Sequence, residues 1–208
     1  MSIRRCPLHD LAQLAIGWPQ SRAGGNEDGY EYPIIQPRDL EGVRLGGSSA
    51  LARVRLPRGA DRYRVEAGDL ILLSRGAAGS IRVCLVDASA AGAVITSNLT
   101  LIRAQHDVLL GEALLAYLLS ESGQTELRRR SATSTVRALT LDQLATVLVP
   151  VPDRPTQERI VALWRATELS YVEAVAAAEG RRALGNAVLD RLFHDGTVPR
   201  LSQGGRRG

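Results

Sequence analysis

The sequence predicts an α/β (α+β) fold, in which one globular domain with a small mixed or antiparallel sheet is followed by a long C-terminal helix. Short apolar segments bounded by glycine and proline recur between residues 30 and 104, which is the pattern of strands joined by turns. Helical spacing of apolar residues replaces that pattern after Leu109. From Asp153 to Phe193 the helical pattern continues for about 40 residues, or roughly 60 Å, which a core of this size cannot bury.

The composition bounds the fold and the possible partners. Hydrophobic residues make up 45% of the 208 residues and aromatic residues only 4%, so Leu, Val, Ile and Ala must build the core. All 26 positively charged residues are arginine. A GC-rich genome would explain this bias whatever the role of these residues. Guanidinium groups are also well suited to binding phosphates and the edges of guanine bases. The net charge of +4 permits nucleic-acid binding without requiring it. Two distant cysteines and no secretory signal predict reduced thiols and a cytoplasmic location.

The first elements are short. Residues 8–15 have the spacing of a short amphipathic helix, which leads into a polar, glycine-rich loop. Residues 30–40 predict a strand around Ile34 and Ile35 that Pro37 stops. The arginine-rich stretch 41–64 alternates weakly and predicts strands and loops with a solvated face.

Residues 65–86 carry the clearest β pattern. Gly68 and Asp69 predict a turn, Leu70–Leu73 a buried strand, and two further glycines a tight return into the strand Ile81–Val86. A single further strand is expected over residues 93–104.

The second half of the chain is predominantly helical. Helices are predicted over 109–120 and from Gly123 to Arg130, and residues 131–140 are a polar loop. Thr140 is placed to cap a short helix over 141–145, and a strand follows over 146–151.

Asp153 can cap the long helix, whose first turn contains Pro155. The predicted organisation is therefore a domain over 1–152, a helix over 153–194 and a disordered basic tail over 195–208.

Catalytic chemistry is not evident in any of these segments. Cys6 and His9 have ligand-like spacing, but a zinc site needs about four ligands and no second pair exists. The GAAGS segment at 76–80 lacks the Lys-Ser/Thr of a phosphate-binding loop, so a hairpin turn is the better account. Asp39 and Asp69 lie beside turns and are interpreted as turn formers. We therefore expect no catalytic residues, cofactor or metal, although an enzyme site built from scattered residues stays an alternative.

The order of the segments resembles a known family. The matching segments are DLAQLAIGWPQSR, PIIQPRDL, VEAGDLILLSRGAAGS, SNLTLIRA, LLAYLLSESGQTELRRR and LTLDQLATVLVPVPDRPTQERIV. The last is the most diagnostic, with Pro150 and Pro152 followed by Gln157 and Ile160. In this order they resemble one half of a DNA specificity (S) subunit of type I restriction–modification systems, namely one target recognition domain and one spacer helix.

The chain departs from that family in two respects. Full-length members typically carry two recognition domains and two spacer helices, whereas this chain has one of each. The loop before the final signature reads ATSTVRALT, where relatives often have glycine.

The resemblance implies that loops of the domain read bases in the major groove of double-stranded DNA. The alternative is that these arginines only keep the surface soluble. The candidate DNA-binding residues lie in or beside loops: Arg22, Asn26, Arg38, Arg75, Arg128, Arg130, Ser134 and Arg137.

The resemblance also implies that the long helix forms an antiparallel coiled coil with a partner and sets the distance between two half-sites. An exposed apolar seam predicts a homodimer and a bipartite, inverted-repeat target. The alternative is packing against the chain's own domain. The predicted interface residues are Ile160, Val161, Trp164, Leu169, Val172, Val175, Leu184, Val188 and Leu192.

The leading interpretation is a non-enzymatic, sequence-specific DNA-binding subunit. It would direct a separate methyltransferase (modification) subunit, alone or together with a translocase–nuclease, and these subunits would perform the chemistry. The alternative is a scaffold or assembly protein of a phage-defence system that keeps the fold without reading sequence. Salt-dependent, sequence-selective DNA binding separates the two.

Overall fold

The computed structural model describes residues 3–19, 29–46, 50–73, 81–131 and 139–195. The chain forms two compact units, Met1–Val161 (the first unit) and Ala162–Gly208 (the second unit). The boundary between them falls inside the last helix, after its first two turns.

The described residues form the strands and α-helices named here, together with short 3-10 turns. The strands are β1 Arg4–Pro7, β2 Ala12–Ile16, β3 Tyr30–Ile35, β4 Arg44–Leu45, β5 Ala52–Leu56, β6 Leu70–Leu73, β7 Val83–Val86, β8 Val94–Ile95, β9 Leu99–Ala104 and β10 Leu148–Val151. The helices are α1 Gly111–Leu119, α2 Glu121–Ser131, α3 Leu141–Ala145 and α4 Arg154–Asp195.

Three sheets organise the first unit. A five-stranded sheet has the order β2-β9-β6-β7-β4, antiparallel except for the parallel pair β4 and β7. A three-stranded sheet has the order β5-β3-β8, with β3 and β8 parallel. Strand β1 pairs antiparallel with β10, which joins the start of the chain to the strand preceding α4. The prediction of a mixed sheet domain followed by one long helix is confirmed.

The hydrophobic core is built around β6, the central strand of the five-stranded sheet. Ile71 lies opposite Cys84 of β7 and Leu101 of β9, and all three side chains belong to one buried cluster. Leu70 and Leu72, which alternate with Ile71 along the strand, are also fully buried. Helix α1 packs against β7 and β9. A continuous apolar run is the expected sequence of a strand covered on both faces, and it explains why this strand was predicted correctly.

The predicted helix over residues 8–15 is wrong. The segment forms a 3-10 turn at Leu8–Asp10 and then β2, which pairs along its whole length with β9, from Ala12 opposite Ala104 to Ile16 opposite Thr100. The apolar spacing fits a helix, but the backbone of β9 needs a partner on this side. That long-range pairing outweighs local helix preference.

The predicted single strand over residues 93–104 is two strands in different sheets. The chain turns between β8 and β9, where the Leu99 amide donates to the Thr96 carbonyl at 2.9 Å. Gly17 packs against this turn so closely that a Cβ atom would lie 2.3 Å from the Thr96 carbonyl oxygen. Only glycine fits at this contact.

Asp69 forms a turn, as predicted, and also a buried ion pair. Gly68 has a φ of 92°, and the Glu66 amide donates to the Asp69 carboxylate at 2.7 Å. Arg103 of β9 binds the same carboxylate through Nε at 2.8 Å and Nη2 at 2.7 Å. Because Asp69 is only 3% exposed, this bidentate ion pair compensates its buried charge. The pair also holds the turn against β9.

Both predicted helix caps are confirmed. The Gln143 amide donates to Thr140 Oγ1 at 3.2 Å at the start of α3. The Thr156 amide donates to Asp153 Oδ1 at 3.1 Å at the start of α4, and hydrogen bonds from Thr156 lower the pKa of Asp153. Helix α4 ends at Asp195, and no helix in the described ranges is long and apolar enough to cross a membrane.

A buried glutamine fastens the first turn of α4 inside the first unit. The Gln157 side chain accepts from the Leu110 amide at 2.9 Å and donates to the carbonyls of Val108 at 3.0 Å and Pro152 at 2.9 Å. Leu110 is the N-cap of α1, so Gln157 satisfies an amide at the helix end, where helical partners are missing. Arg154 adds a bond to the His106 carbonyl at 2.8 Å. The start of α4 is thus held against the loop that begins α1.

Replacing Gln157 with leucine tests this anchor. The Gln157→Leu variant keeps the side-chain volume but leaves one amide and two carbonyls without their partner, so the free energy of unfolding should fall by about 2 kcal/mol. Urea denaturation monitored by circular dichroism measures the change. Gln13→Leu, at an exposed position of β2, is the control and should stay within about 0.5 kcal/mol. Equal stability of the two variants would contradict the anchoring role.

Candidate nucleic-acid interface

The predicted DNA-binding residues divide between described and undescribed segments. Arg38 lies in the 3-10 turn Pro37–Asp39, and Arg128 and Arg130 lie in α2. The other five lie outside the described residues: Arg22, Asn26, Arg75, Ser134 and Arg137.

Residues 74–80, which include Arg75, connect β6 to β7, and both ends of this connection are fixed. The Leu73 amide donates to the Arg82 carbonyl at 3.0 Å. Gln124 of α2 accepts from the Ile81 amide and donates to the Ile81 carbonyl, both at 2.9 Å. These two hydrogen bonds satisfy both backbone groups of Ile81, as a neighbouring β-strand would.

Gln124 is itself held firmly, because its amide also donates to the Leu118 carbonyl at 2.9 Å and the residue is buried. Gln124 was not among the residues predicted from the sequence. It stands in a polar helical stretch, where no pattern in the sequence separates it from the exposed residues beside it.

The turn that carries Arg38 is part of the same edge of the domain. Arg82 donates to the Leu40 carbonyl at 3.3 Å, which joins the turn to the base of the β6–β7 connection. We call the continuous set Leu40, Leu73, Ile81, Arg82 and Gln124 the hairpin edge.

Arg38 is presented on a rigid turn. The Gln36 amide donates to Asp39 Oδ2 at 2.7 Å as part of a reciprocal cap. The Arg38 side chain is 70% exposed, and its ion pair with Asp39 is long at 3.9 Å. Its guanidinium is therefore accessible to an anion.

Helix α2 joins the hairpin edge to a second undescribed segment that carries candidate residues, 132–138. Ser131 ends the helix with a bond from its Oγ to the Arg128 carbonyl at 3.0 Å, just before this segment. The capped start of α3 at Thr140 follows it. Gln124 and Ser131 are about 10 Å apart along the helix axis, so one short helix contacts residues that flank both segments.

The three arginines at the end of α2 have different roles. Glu126 binds Arg129 at 2.9 and 3.0 Å and Arg130 at 3.0 Å, and Arg130 also donates to Thr146 Oγ1 at 2.7 Å. The bonds from Arg129, and then from Arg130, lower the pKa of Glu126. Arg130 therefore ties α2 to the end of α3. Arg128 is exposed, and its guanidinium donates to Thr125 at 3.1 Å.

A second group of arginines lies over tyrosine rings in the three-stranded sheet region. The Arg64 guanidinium lies 4.9 Å from the centre of the Tyr32 ring, and that of Arg62 lies 4.8 Å from the Tyr63 ring. Asp61 lies 3.2 Å from Arg64 and accepts from the Tyr32 hydroxyl at 3.0 Å. The sequence of this stretch predicted only strands and loops with a solvated face. Stacking and the nearby carboxylate explain why these side chains have defined positions.

The residues predicted for a helix interface lie on more than one face of α4. Val161 is buried within the first unit, whereas Leu169 and Leu184 are exposed. At 100° per residue, Leu169 and Leu184 point about 140° and 160° away from Trp164. The complete set therefore cannot form one narrow seam. Val175 and Leu192 remain on the side of Trp164.

Twelve chains of solved structures resemble this fold, and three of them illustrate the similarity. The HsdS subunit from Thermoanaerobacter tengcongensis has a TM-score of 0.61 and 22% identity over 93% of this chain and 45% of its own. A chain from a study of complex assembly and conformational transition of the type I R-M system has a TM-score of 0.63 and 13% identity over 100% of this chain and 53% of its own.

The type I restriction–modification S subunit from M. genitalium has a TM-score of 0.53 and 14% identity over 88% of this chain and 44% of its own. This chain has the S-subunit fold. It spans about half the length of the solved chains it resembles. No protein-family model matches the sequence, and no curated protein is significantly similar to it.

The cysteines of this S-subunit fold are packing residues. Burial raises the pKa of the Cys84 thiol to about 11, so at neutral pH it is uncharged, and its Sγ donates to the Gly42 carbonyl at 2.6 Å. Cys6 is also buried. Across the described ranges, no three His, Cys, Asp or Glu side chains are grouped as metal ligands would be.

Replacing Glu126 with glutamine tests how α2 is held in this S-subunit fold. The Glu126→Gln variant loses the charge-assisted bonds to Arg129 and Arg130, and its free energy of unfolding at pH 7 should fall by about 1 kcal/mol. Because the folded-state pKa of Glu126 is lowered, its stabilisation is complete above the ordinary pKa and is lost as pH falls through the folded value.

Urea denaturation at several pH values measures this effect. The stability difference from the wild type should disappear in acid, while Glu121→Gln, at an exposed position of the same helix, should show little difference throughout. A difference that is independent of pH would contradict the ionic origin of the effect.

Proposed function

We propose that this chain is a DNA specificity half-subunit, which recognises a DNA sequence as a homodimer and directs a separate methyltransferase to it. The observation that carries the proposal is the S-subunit fold, which extends over the first unit and α4 and matches about half of each solved chain. One recognition domain and one spacer helix are half of the typical family pattern. Two copies of this chain would restore the complete number of both parts.

The DNA-reading part of the proposal rests on the hairpin edge and α2. These elements hold residues that flank the segments 74–80 and 132–138, which contain Arg75, Ser134 and Arg137 and for which the sequence predicts loops. Loops on a rigid support are the usual place for recognition residues. Arginine in such loops can bind phosphates for affinity and guanine edges for sequence discrimination.

The described arginines divide between support and contact. Arg38 and Arg128 are exposed, and we assign them to phosphate contact. Arg130 is largely occupied by Glu126 and Thr146, so its proposed role is to hold α2 in place. Arg22 and Asn26 remain proposed contacts in the first loop.

The homodimer rests on the surface of α4. Large apolar side chains such as Tyr171, Val172 and Leu189 are more than half exposed in the single chain. Burial of apolar surface in a helix pair contributes about 25 cal/mol for each Å² removed from water. Residues 162–195 carry four arginines and five acidic residues, a balance that favours protein pairing over phosphate binding. A two-fold pair of recognition domains implies a bipartite, inverted-repeat target.

The chemistry in this proposal belongs to partner subunits. The methyltransferase would bind the methyl donor and the target base, and this chain would need no cofactor of its own. The alternative function, a scaffold of a phage-defence system, would use the same fold without sequence-selective DNA binding.

A double variant of the two loop arginines tests the DNA-reading proposal. Arg75→Ala with Arg137→Ala should weaken binding to the target about ten- to a hundredfold and lower the salt slope of log K by about 2, because two phosphate or base contacts are lost. Fluorescence anisotropy at several salt concentrations measures both quantities. Arg191→Ala, on an exposed position of α4, is the control and should bind as the wild type. Unchanged affinity and slope in the double variant would overturn the proposed DNA face.

A further inference from the structure

Two residues of opposite charge interrupt the apolar stripe on α4. The stripe has residues spaced by three, four, seven or eleven positions, which places them within about 120° of the helix surface. It consists of Trp164, Tyr171, Val175, Ala178, Leu189 and Leu192. Glu168 and Arg182 lie on the same side of the helix as these residues. Each is seven residues from Val175, one before it and one after it.

Within the described part of the chain, neither Glu168 nor Arg182 has an ion-pair partner. They cannot pair with each other in one chain, because fourteen residues of helix separate them by about 21 Å. Charged residues on the contact side of a helix pair lower its stability unless they are matched across the interface. Their positions therefore call for complementary charges on a second helix.

A second copy of this chain running antiparallel supplies those charges. We propose that α4 pairs with α4 of a second copy in one register, with Tyr171 opposite Arg182 and Val175 opposite Ala178, so that Glu168 of each copy meets Arg182 of the other. This inference rests on the proposed homodimer and specifies its geometry.

The proposed register brings the charges within reach of each other. Arg182 of the second copy lies three residues along from the position opposite Glu168, an axial offset of about 4.5 Å that the two side chains can bridge. Slipping the pair by seven residues in one direction would move the charges about 10 Å further apart along the axis. Slipping it in the other direction would leave them about 6 Å apart, but Trp164 would then face the charged Arg182 instead of an apolar side chain. A parallel pair would place Glu168 beside Glu168 and Arg182 beside Arg182, which is repulsive.

Side-chain size supports the same register. Val175 would face Ala178, and Glu168 would face Gly185, so that a larger residue meets a smaller one near the middle of the pair. A Cβ atom at Gly185 would meet nothing within 4 Å in the single chain, so this position is open to a neighbour. Towards the ends, Trp164 would face Leu189, which gives a larger apolar contact on each side of the centre.

Charge reversal in the full-length chain tests the register. Glu168→Arg alone and Arg182→Glu alone should each weaken the dimer about ten- to a hundredfold, because each creates two like-charge pairs. The double variant should recover an affinity within about threefold of the wild type, since both pairs are restored with their signs exchanged. Sedimentation equilibrium measures all four dissociation constants.

Mixing the two single variants is the more specific experiment. Each of them opposes its own pairing, but together they form two attractive pairs, so an equimolar mixture should give a heterodimer that neither variant gives alone. An unfolded variant could not be recovered in this way. Glu173→Arg is the control, because Glu173 lies about 180° from Arg182 around the helix. It should leave the dimer unchanged.

The outcomes distinguish the register from the dimer itself. A wild-type chain that is monomeric at micromolar concentration overturns the homodimer and this inference together. A wild-type dimer that both single variants leave intact overturns the register alone. Weakening by the single variants without recovery in the double variant or in the mixture also overturns it, since that result indicates a parallel or shifted pair.

Discussion

The hydrogen bonds of the buried Gln157 side chain hold the start of α4 in place, and the proposed arrangement of domain and helix depends on them. This side chain binds the amide that starts α1 and the carbonyls of Val108 and Pro152, so one residue of α4 joins three backbone positions. The first turns of α4 are consequently part of the first unit, which ends at Val161. In the proposed role of α4 as a spacer helix, the helix can set a distance only if its start is fixed in the domain from which it extends. Gln157 provides that fixed start.

The same division between support and function recurs at the proposed DNA face. Gln124 satisfies the backbone groups of Ile81, and Arg130 joins α2 to the end of α3. Arg38 is left exposed on a rigid turn. A basic composition alone could not separate these roles. The two roles are told apart by whether a guanidinium group is already bound by other groups of the fold.

Local signals were sufficient for much of the fold. The caps at Thr140 and Asp153 involve neighbours three residues away, and the apolar run Leu70–Leu73 reflects burial on both faces of its strand. Strand β2 was predicted as a helix because its conformation depends on β9, far away in the sequence. Gln124 was missed for the same reason, since its role appears only when Ile81 is beside it. Contacts between the backbones of distant segments are the part of the fold that could not be predicted from a single sequence.

The central claim is that two copies of this chain read one duplex through domains held at a fixed separation. Selection of binding sites from random double-stranded DNA by the full-length chain tests it most directly. The account predicts an enriched inverted repeat, with two identical half-sites separated by a spacer of constant length and no preferred sequence. Enrichment of a single half-site, of half-sites at variable spacing, or of no sequence at all would contradict it.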